Sequence, residues 1–110
     1  MAEDEPLLAH IQQSIALILR YTRDGRSAFM ASDLHQAAIL YWLIAIGEAT
    51  KKLSSAPREQ HPEIPWRAMM GARDVLVHNV LAVRLDQVWE IVENDLPTLA
   101  VGIDRLLERR

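Results

Sequence analysis

Ala38-Ile-Leu-Tyr-Trp-Leu-Ile-Ala-Ile46 is apolar on every side of a helix. Ser32 or Asp33 can cap that helix at its start, and it can run to Leu53 or Ser54. A helix with no polar face has to be covered from several directions. In a chain of 110 residues this makes it a central helix, a subunit interface, or both. The uninterrupted apolar run, Ala37 to Gly47, is far shorter than the ~20 residues needed to span a bilayer.

The flanking segments supply partners for it. Leu7, Leu8, Ile11, Ile15, Ile18 and Leu19 recur at helical spacing, which predicts an amphipathic helix from Pro6 to about residue 23, ended by Asp24-Gly25. Ser54 to Pro62, rich in turn formers and charge, reads as the longest connection. Pro65 then opens a third helix whose apolar contacts come from Trp66, Met69, Met70, Leu76 and Val77. Val83 to about Leu107 is a fourth helical segment with Leu85, Val88, Trp89, Val92 and Leu96 on one side. Pro97 must kink or restart it, with Asp95 as the cap of the last piece. No strand alternation or internal repeat appears, so the fold class is all-α, an antiparallel bundle of four to five helices. Residues 1–110 form one domain with a core from about 7 to 107.

Half of the residues are apolar and a quarter charged, the balance of a globular protein. The absence of cysteine excludes disulfides, thiolate zinc sites and a cysteine nucleophile. The acidic start Met-Ala-Glu-Asp-Glu-Pro is unlike a signal peptide, which predicts a cytoplasmic protein with no membrane contact. A net charge of −3 argues against a broad basic surface gripping long nucleic acid, so any RNA contact should be local or belong to an oligomer. Arg20, Arg23, Arg26, Arg109 and Arg110 read as solvated surface. His10, His35 and His61 lie far apart with no metal-ligand spacing, and no metal site is expected.

Chemistry concentrates in Gly71-Ala-Arg-Asp-Val-Leu-Val-His-Asn-Val80, where Arg73 and His78 stand at R-x4-H spacing. An arginine is always charged and can hold a phosphate through two hydrogen bonds. A histidine titrates near neutrality and can move protons to and from a ribose hydroxyl. Five residues place the two about 140° apart around a helix, so one chain alone offers an open site. Simpler roles exist for each. Arg73 can pair with Asp74 or Glu48 across the helix surface, His78 can satisfy the last carbonyls, and Asn79 can cap the C-terminus.

Four blocks, Ile46-Gly-Glu-Ala-Thr-Lys-Lys-Leu-Ser54, His61-Pro-Glu-Ile-Pro-Trp-Arg67, Arg73-Asp-Val-Leu-Val-His-Asn79 and Val88-Trp-Glu-Ile-Val-Glu-Asn-Asp-Leu-Pro97, occur in one order over about residues 7 to 107. In this the chain resembles HepT-like proteins, the HEPN-domain toxins of HEPN/MNT toxin–antitoxin pairs. The resemblance implies a homodimeric, metal-independent endoribonuclease with no cofactor. Its cleft would bring together Arg73 and His78 of two subunits, cut transfer or messenger RNA, and be neutralised by an MNT-type nucleotidyltransferase antitoxin. Arg73 would hold the scissile phosphate and stabilise the pentacoordinate transition state. His78 would transfer protons, and its position near a helix C-terminus favours its charged form. Asn79 would orient the imidazole or contact substrate, and Asp74 and Glu48 would support the site. Asp74 is better suited to organising the helix surface than to acid catalysis, since a carboxylate beside a phosphate repels it.

Two positions depart from the family pattern. Val80 stands where HepT-like sequences usually carry a tyrosine, the hydroxyl to which the partner attaches AMP, so the modification site here is unknown. Tyr21 and Tyr41 do not replace it by sequence position. Arg84 stands where many relatives have an Asp that would cap the last helix. Val80 leaves a second expectation open, a weakly active or inactive HEPN module that binds a nucleotidyltransferase or a nucleotide. A third is a dimeric structural protein in which the motif has lost its function. Of the remaining features, Glu48 reads as a carboxylate paired with an arginine, and Gly47 as a point of close helix contact. Trp42, Trp66 and Trp89 read as core or interface anchors.

Overall fold

A computed structural model describes residues 3–108; Arg109 and Arg110 lie outside them. The chain forms helices α1 (Asp4–Thr22), α2 (Arg26–Met30), α3 (Asp33–Lys52), α4 (Ser55–Gln60) and α5 (Trp66–His78). A 3-10 turn (Val80–Ala82), α6 (Leu85–Glu90), a π-helical turn (Ile91–Asp95) and α7 (Leu96–Glu108) complete it. The four long helices are those anticipated, and no strand occurs among the described residues. The architecture is an all-α, HEPN-like bundle.

Helix α3 packs against α1 on one side and α5 on the other, while α7 closes on the far side of α1. Helices α1 and α3 run antiparallel. Asp4 meets Ser54 at one end of the pair, and Tyr21 meets His35 and Trp42 at the other. The core is a continuous cluster fed by Leu8, Ile11, Ile15 and Ile18 of α1, Ile39, Leu43 and Ile46 of α3, Met69 and Leu76 of α5, and Leu96, Leu99 and Ile103 of α7. Each helix contributes at intervals of three or four, which aligns its apolar side chains into one stripe. Phe29 of α2 packs against Trp89 of α6 with ring centroids 5.4 Å apart, tying the short helices to this core. Trp66 is buried and its indole N–H donates to the His61 carbonyl at 3.0 Å, so it is a core anchor that also fixes the connection before α5.

Ser32 caps α3 as its type predicts: its hydroxyl accepts from the His35 amide at 3.2 Å. Gly25, at φ 93°, supplies the left-handed conformation that turns the chain out of α1.

Several expectations need correction. Helix α1 starts at Asp4 rather than Pro6, because the Asp4 carboxylate is buried and accepts from the Ser54 amide at 2.9 Å and hydroxyl at 2.5 Å. That long-range anchor, invisible to local periodicity, draws the first turn into the fold. The Ser54–Pro62 connection contains α4, whose Pro57 is buried. Pro65 is the residue before α5 and not its first helical one. Leu19 and Val77 are about 40% exposed and belong to the surface. Pro97 does not restart the last segment, and Asp95 is not a cap. The turn before Pro97 widens instead, the Leu96 amide donating to the Ile91 carbonyl five residues back, so the helix passes through the missing N–H without breaking.

The Asp4 anchor makes a stability prediction. Asp4→Ala leaves the half-buried Ser54 amide without its acceptor and is expected to lower unfolding free energy by about 1–2 kcal/mol, read from urea denaturation. Asp4→Asn, which keeps an acceptor oxygen, should recover part of that loss.

Helix α3 is central to α1 and α5 but not enclosed. Leu34 and Tyr41 are 78% and 65% exposed, and together with half-buried Leu40, Trp42 and Ile44 they leave an outward apolar arc. No helix among the described residues is long and apolar enough to cross a membrane.

Candidate active site at the end of α5

Helix α5 carries the R-x4-H pair, and what lies beneath it decides where Arg73 points. Gly47 of α3 faces α5 so closely that a Cβ there would overlap the Arg73 Cβ and reach within 2.9 Å of the Met69 carbonyl oxygen. Only a glycine admits this approach. It brings the next residue of α3, Glu48, into an ion pair with the Arg73 Nε. On its other flank, Arg73 Nη1 donates to the Asp74 carboxylate at 3.1 Å. The pairings open to Arg73 from sequence, with Asp74 and with Glu48, therefore both occur.

The same Asp74 oxygen also receives Lys51 Nζ from α3. These two cations hold the Asp74 carboxyl below the ordinary carboxylate range, Lys51 contributing most, then Arg73. The hydrogen bond to Asp74 raises the Arg73 guanidinium in turn. Asp74 thus stays ionised at neutral pH and keeps both cations in place. It organises the helix surface, as its charge suggested.

Asp74 also reaches the histidine through its backbone. His78 is exposed at the last residue of α5, and its Nδ1 lies 2.7 Å from the Asp74 carbonyl oxygen. A carbonyl can only accept, so Nδ1 carries a hydrogen and Nε2 is the outward-facing nitrogen. Neutral, that Nε2 takes a proton; charged, it gives one. The helix-end bond and a proton-transfer role are therefore compatible in one side chain.

Asn79 caps α5: its amide N–H and its side-chain Nδ2 both donate to the Val75 carbonyl at 3.0 Å. Its Oδ1 takes no part in those two bonds. Val80 begins the 3-10 turn and is 62% exposed, and Leu81 beside it is almost fully so. Arg84 stands at the start of α6 without a capping side chain and pairs with Asp86 at 3.0 Å. Tyr41 lies on the outward arc of α3, and Tyr21 stacks on Trp42 with centroids 5.5 Å apart. Among the described residues, no three His, Asp or Glu side chains converge as metal ligands would.

A groove of about 650 Å³ runs between α5 and the α6–π segment, over Ala72, Val75, Val83 and Ile91, and ends at Asn79. Neither Arg73 nor His78 lines it. His78 is exposed, whereas the Arg73 side chain is only 25% exposed between Glu48 and Asp74. What the sequence did not single out is Lys51, and the joint hold of Asp74 on Lys51, Arg73 and His78. The i, i+4 spacing of Asp74 and His78 was a legible signal for part of it; the approach of Lys51 from another helix was not.

The model of the family described as "Ribonuclease HepT-like" matches residues 11–106, which include the whole of α3, α5 and the motif. A Methanocaldococcus jannaschii protein named "Gamma-glutamylcyclotransferase and putative RNase" is 37% identical over 102 residues; these cover 92% of this chain and 46% of that longer protein. "Probable ribonuclease HepT" of Thermococcus cleftensis is 35% identical over 100 residues, covering 90% of this chain and 91% of the relative. The chain thus spans under half of the first relative and nearly all of the second. No solved structure matches at the same stringency. With its helical bundle, its R-x4-H motif at the end of α5 and a family match over most of its length, the chain belongs to the HepT-like ribonuclease family.

Proposed function

We propose that this chain is a metal-independent endoribonuclease, the toxin of a toxin–antitoxin pair, that works in the cytoplasm as a two-fold dimer on transfer or messenger RNA. The observation that carries the reading is the Nδ1 bond of His78 to the Asp74 carbonyl, which leaves Nε2 open to solvent on the helix that bears Arg73. Neutral Nε2 of one subunit removes the proton of a ribose 2′-OH. The freed 2′-oxygen attacks the adjacent phosphorus, and Arg73 hydrogen-bonds the phosphoryl oxygens as negative charge builds on them. Protonated Nε2 of the second subunit gives its proton to the leaving 5′-oxygen. The products are a 2′,3′-cyclic phosphate and a 5′-hydroxyl, with one proton taken up by the first histidine and one given up by the second.

A dimer is needed because one α5 separates arginine and histidine by about 140°. A two-fold axis supplies the second pair without further sequence. The exposed Val80 and Leu81, which follow His78 in the chain, give such an interface apolar surface at the site, and Leu34 and Tyr41 are exposed on α3. Val80 offers no hydroxyl, so a nucleotidyltransferase partner restrains this chain by binding or by modifying another residue.

The second reading, an inactive module that presents a bound partner or nucleotide, is favoured by the engagement of Arg73 with two carboxylates and by Val80. The test that separates them is incubation of the purified chain with total RNA and transfer RNA in excess EDTA, followed by analysis of fragment ends. Cleavage leaving 2′,3′-cyclic phosphates supports the nuclease. Intact RNA across several substrates, from folded dimer, favours the module.

A further inference from the structure

We propose that Lys51 is a second phosphate-binding cation of the site, held beside Arg73 by Asp74. This rests on the reading of the chain as a ribonuclease and adds to it a residue outside the R-x4-H motif. Arg73 and His78 lie about 140° apart around α5, and Asp74, four residues before His78, shares the stripe that carries the imidazole. Lys51 reaches across from α3 to the Asp74 carboxylate and thereby places its ammonium beside the Arg73 guanidinium on the same oxygen.

The arrangement suits an exchangeable anion site. Lys51 Nζ and Arg73 Nη1 converge on one carboxylate oxygen, Asp74 Oδ1. An ammonium has three donors and a guanidinium five, so each keeps donors for a phosphate while Asp74 holds the two cations side by side. Lys51 remains about one-third exposed and Asp74 about half, so an RNA backbone can reach them. Gly47, Glu48 and Lys51 lie within little more than one turn of α3, so the close packing at Gly47 that sets Arg73 sets Lys51 as well. Lys51 thus contacts the RNA phosphate at or next to the scissile one. Its contribution is to binding and substrate placement, and it transfers no proton.

The experiment uses the full chain and a fluorescently labelled single-stranded RNA carrying 2′-deoxyribose, so that it binds without being cut. Binding is followed by anisotropy in EDTA over a series of salt concentrations for the wild type, Lys51→Ala, Lys51→Gln, Lys51→Arg and Lys52→Ala. The last removes the same charge one residue along, about 100° around α3. We expect Lys51→Ala and Lys51→Gln to weaken binding alike across RNA sequences and to lower the slope of log Kd against log salt by about 0.7, one phosphate contact on a single strand. Lys51→Arg should restore the slope. On a cleavable RNA the two neutral variants should raise KM more than they lower kcat.

A purely structural tie between α3 and α5 would move the melting temperature and leave the salt slope unchanged, which overturns the proposal. Equal effects of Lys52→Ala and Lys51→Ala also overturn it, since they would mean general charge rather than a placed contact. Failure of the wild type to bind RNA at all removes the ribonuclease reading together with this one. Wild-type binding with no change in Lys51→Ala removes only the role of Lys51.

Discussion

His78→Ala is expected to lower metal-free RNA cleavage by roughly 10²–10⁴-fold, the usual contribution of a positioned proton-transfer group. The loss should fall on kcat, because the imidazole acts on protons that move only in the transition state. His78 is exposed at the end of α5 and its one recorded bond is to a carbonyl of its own helix, so the variant should keep its melting temperature and its oligomeric state. Arg73→Ala should lose comparable activity, with a rise in KM as well, since the guanidinium both binds the phosphate and stabilises its developing charge. It also frees Glu48 and Asp74 from a cation, so some loss of stability should accompany it. Arg73→Lys separates the two effects. It keeps the charge beside the carboxylates but not the planar two-bond fork, and it should fold normally while remaining strongly impaired. Mixing His78→Ala with Arg73→Ala subunits is a further check: if a cleft draws on both chains, mixed dimers carry one intact residue of each kind and should differ in rate from either parent. Wild-type rates in His78→Ala, from protein freed of contaminating nuclease, would end the assignment.

Gly47→Ala is expected to destabilise the protein by roughly 1–3 kcal/mol, although alanine is the better helix former by about 1 kcal/mol. The added methyl would overlap the Arg73 Cβ and press on the Met69 carbonyl, both parts of α5 that cannot yield as a flexible side-chain end would. Relief requires α5 to move away from α3, and α5 carries Arg73 and His78 while α3 carries Glu48 and Lys51. A shift of about 1 Å in a placed reacting group can cost on the order of 10²-fold in rate. Activity should therefore fall further than the stability loss alone explains at temperatures where the variant is still folded. Urea denaturation and cleavage assays on one preparation test both halves. Unchanged stability and rate would mean that the interface has room the packing does not display. A larger side chain, as in Gly47→Leu, should prevent the two helices from packing at all.

The readings of α1, α3 and α5 from sequence hold because each has a strong local signal. Leu8, Ile11, Ile15 and Ile18 repeat at helical spacing, Ser32 is a favourable cap, and Ile39, Leu43 and Ile46 of the apolar run pack into the core. The errors sit where a distant partner competes with a local signal. Pro6 signals a helix start, yet Ser54, fifty positions away, gives the Asp4 carboxylate two donors and draws the start back past Pro6. Pro97 carries a strong breaking signal, yet Leu96, Leu99 and Ile103 are all buried, and their packing favours a continuous helix with a widened turn over a break. Helix α4 was hidden because a six-residue helix has too little periodicity to stand out from a connection.

By itself the sequence determined the helical class, the four long helices and the family, and it singled out Arg73 and His78 as candidates for chemistry. Those follow from short-range periodicity, from caps and from motifs that are contiguous in the chain. Only the tertiary structure decided how they are held: that Gly47 lets α3 approach α5, that Glu48 takes Arg73 from across the interface, and that Lys51 joins them on Asp74. The reason is physical: a contact between helices depends on their separation and rotation about their axes, which the packing of the whole core sets and no single segment encodes.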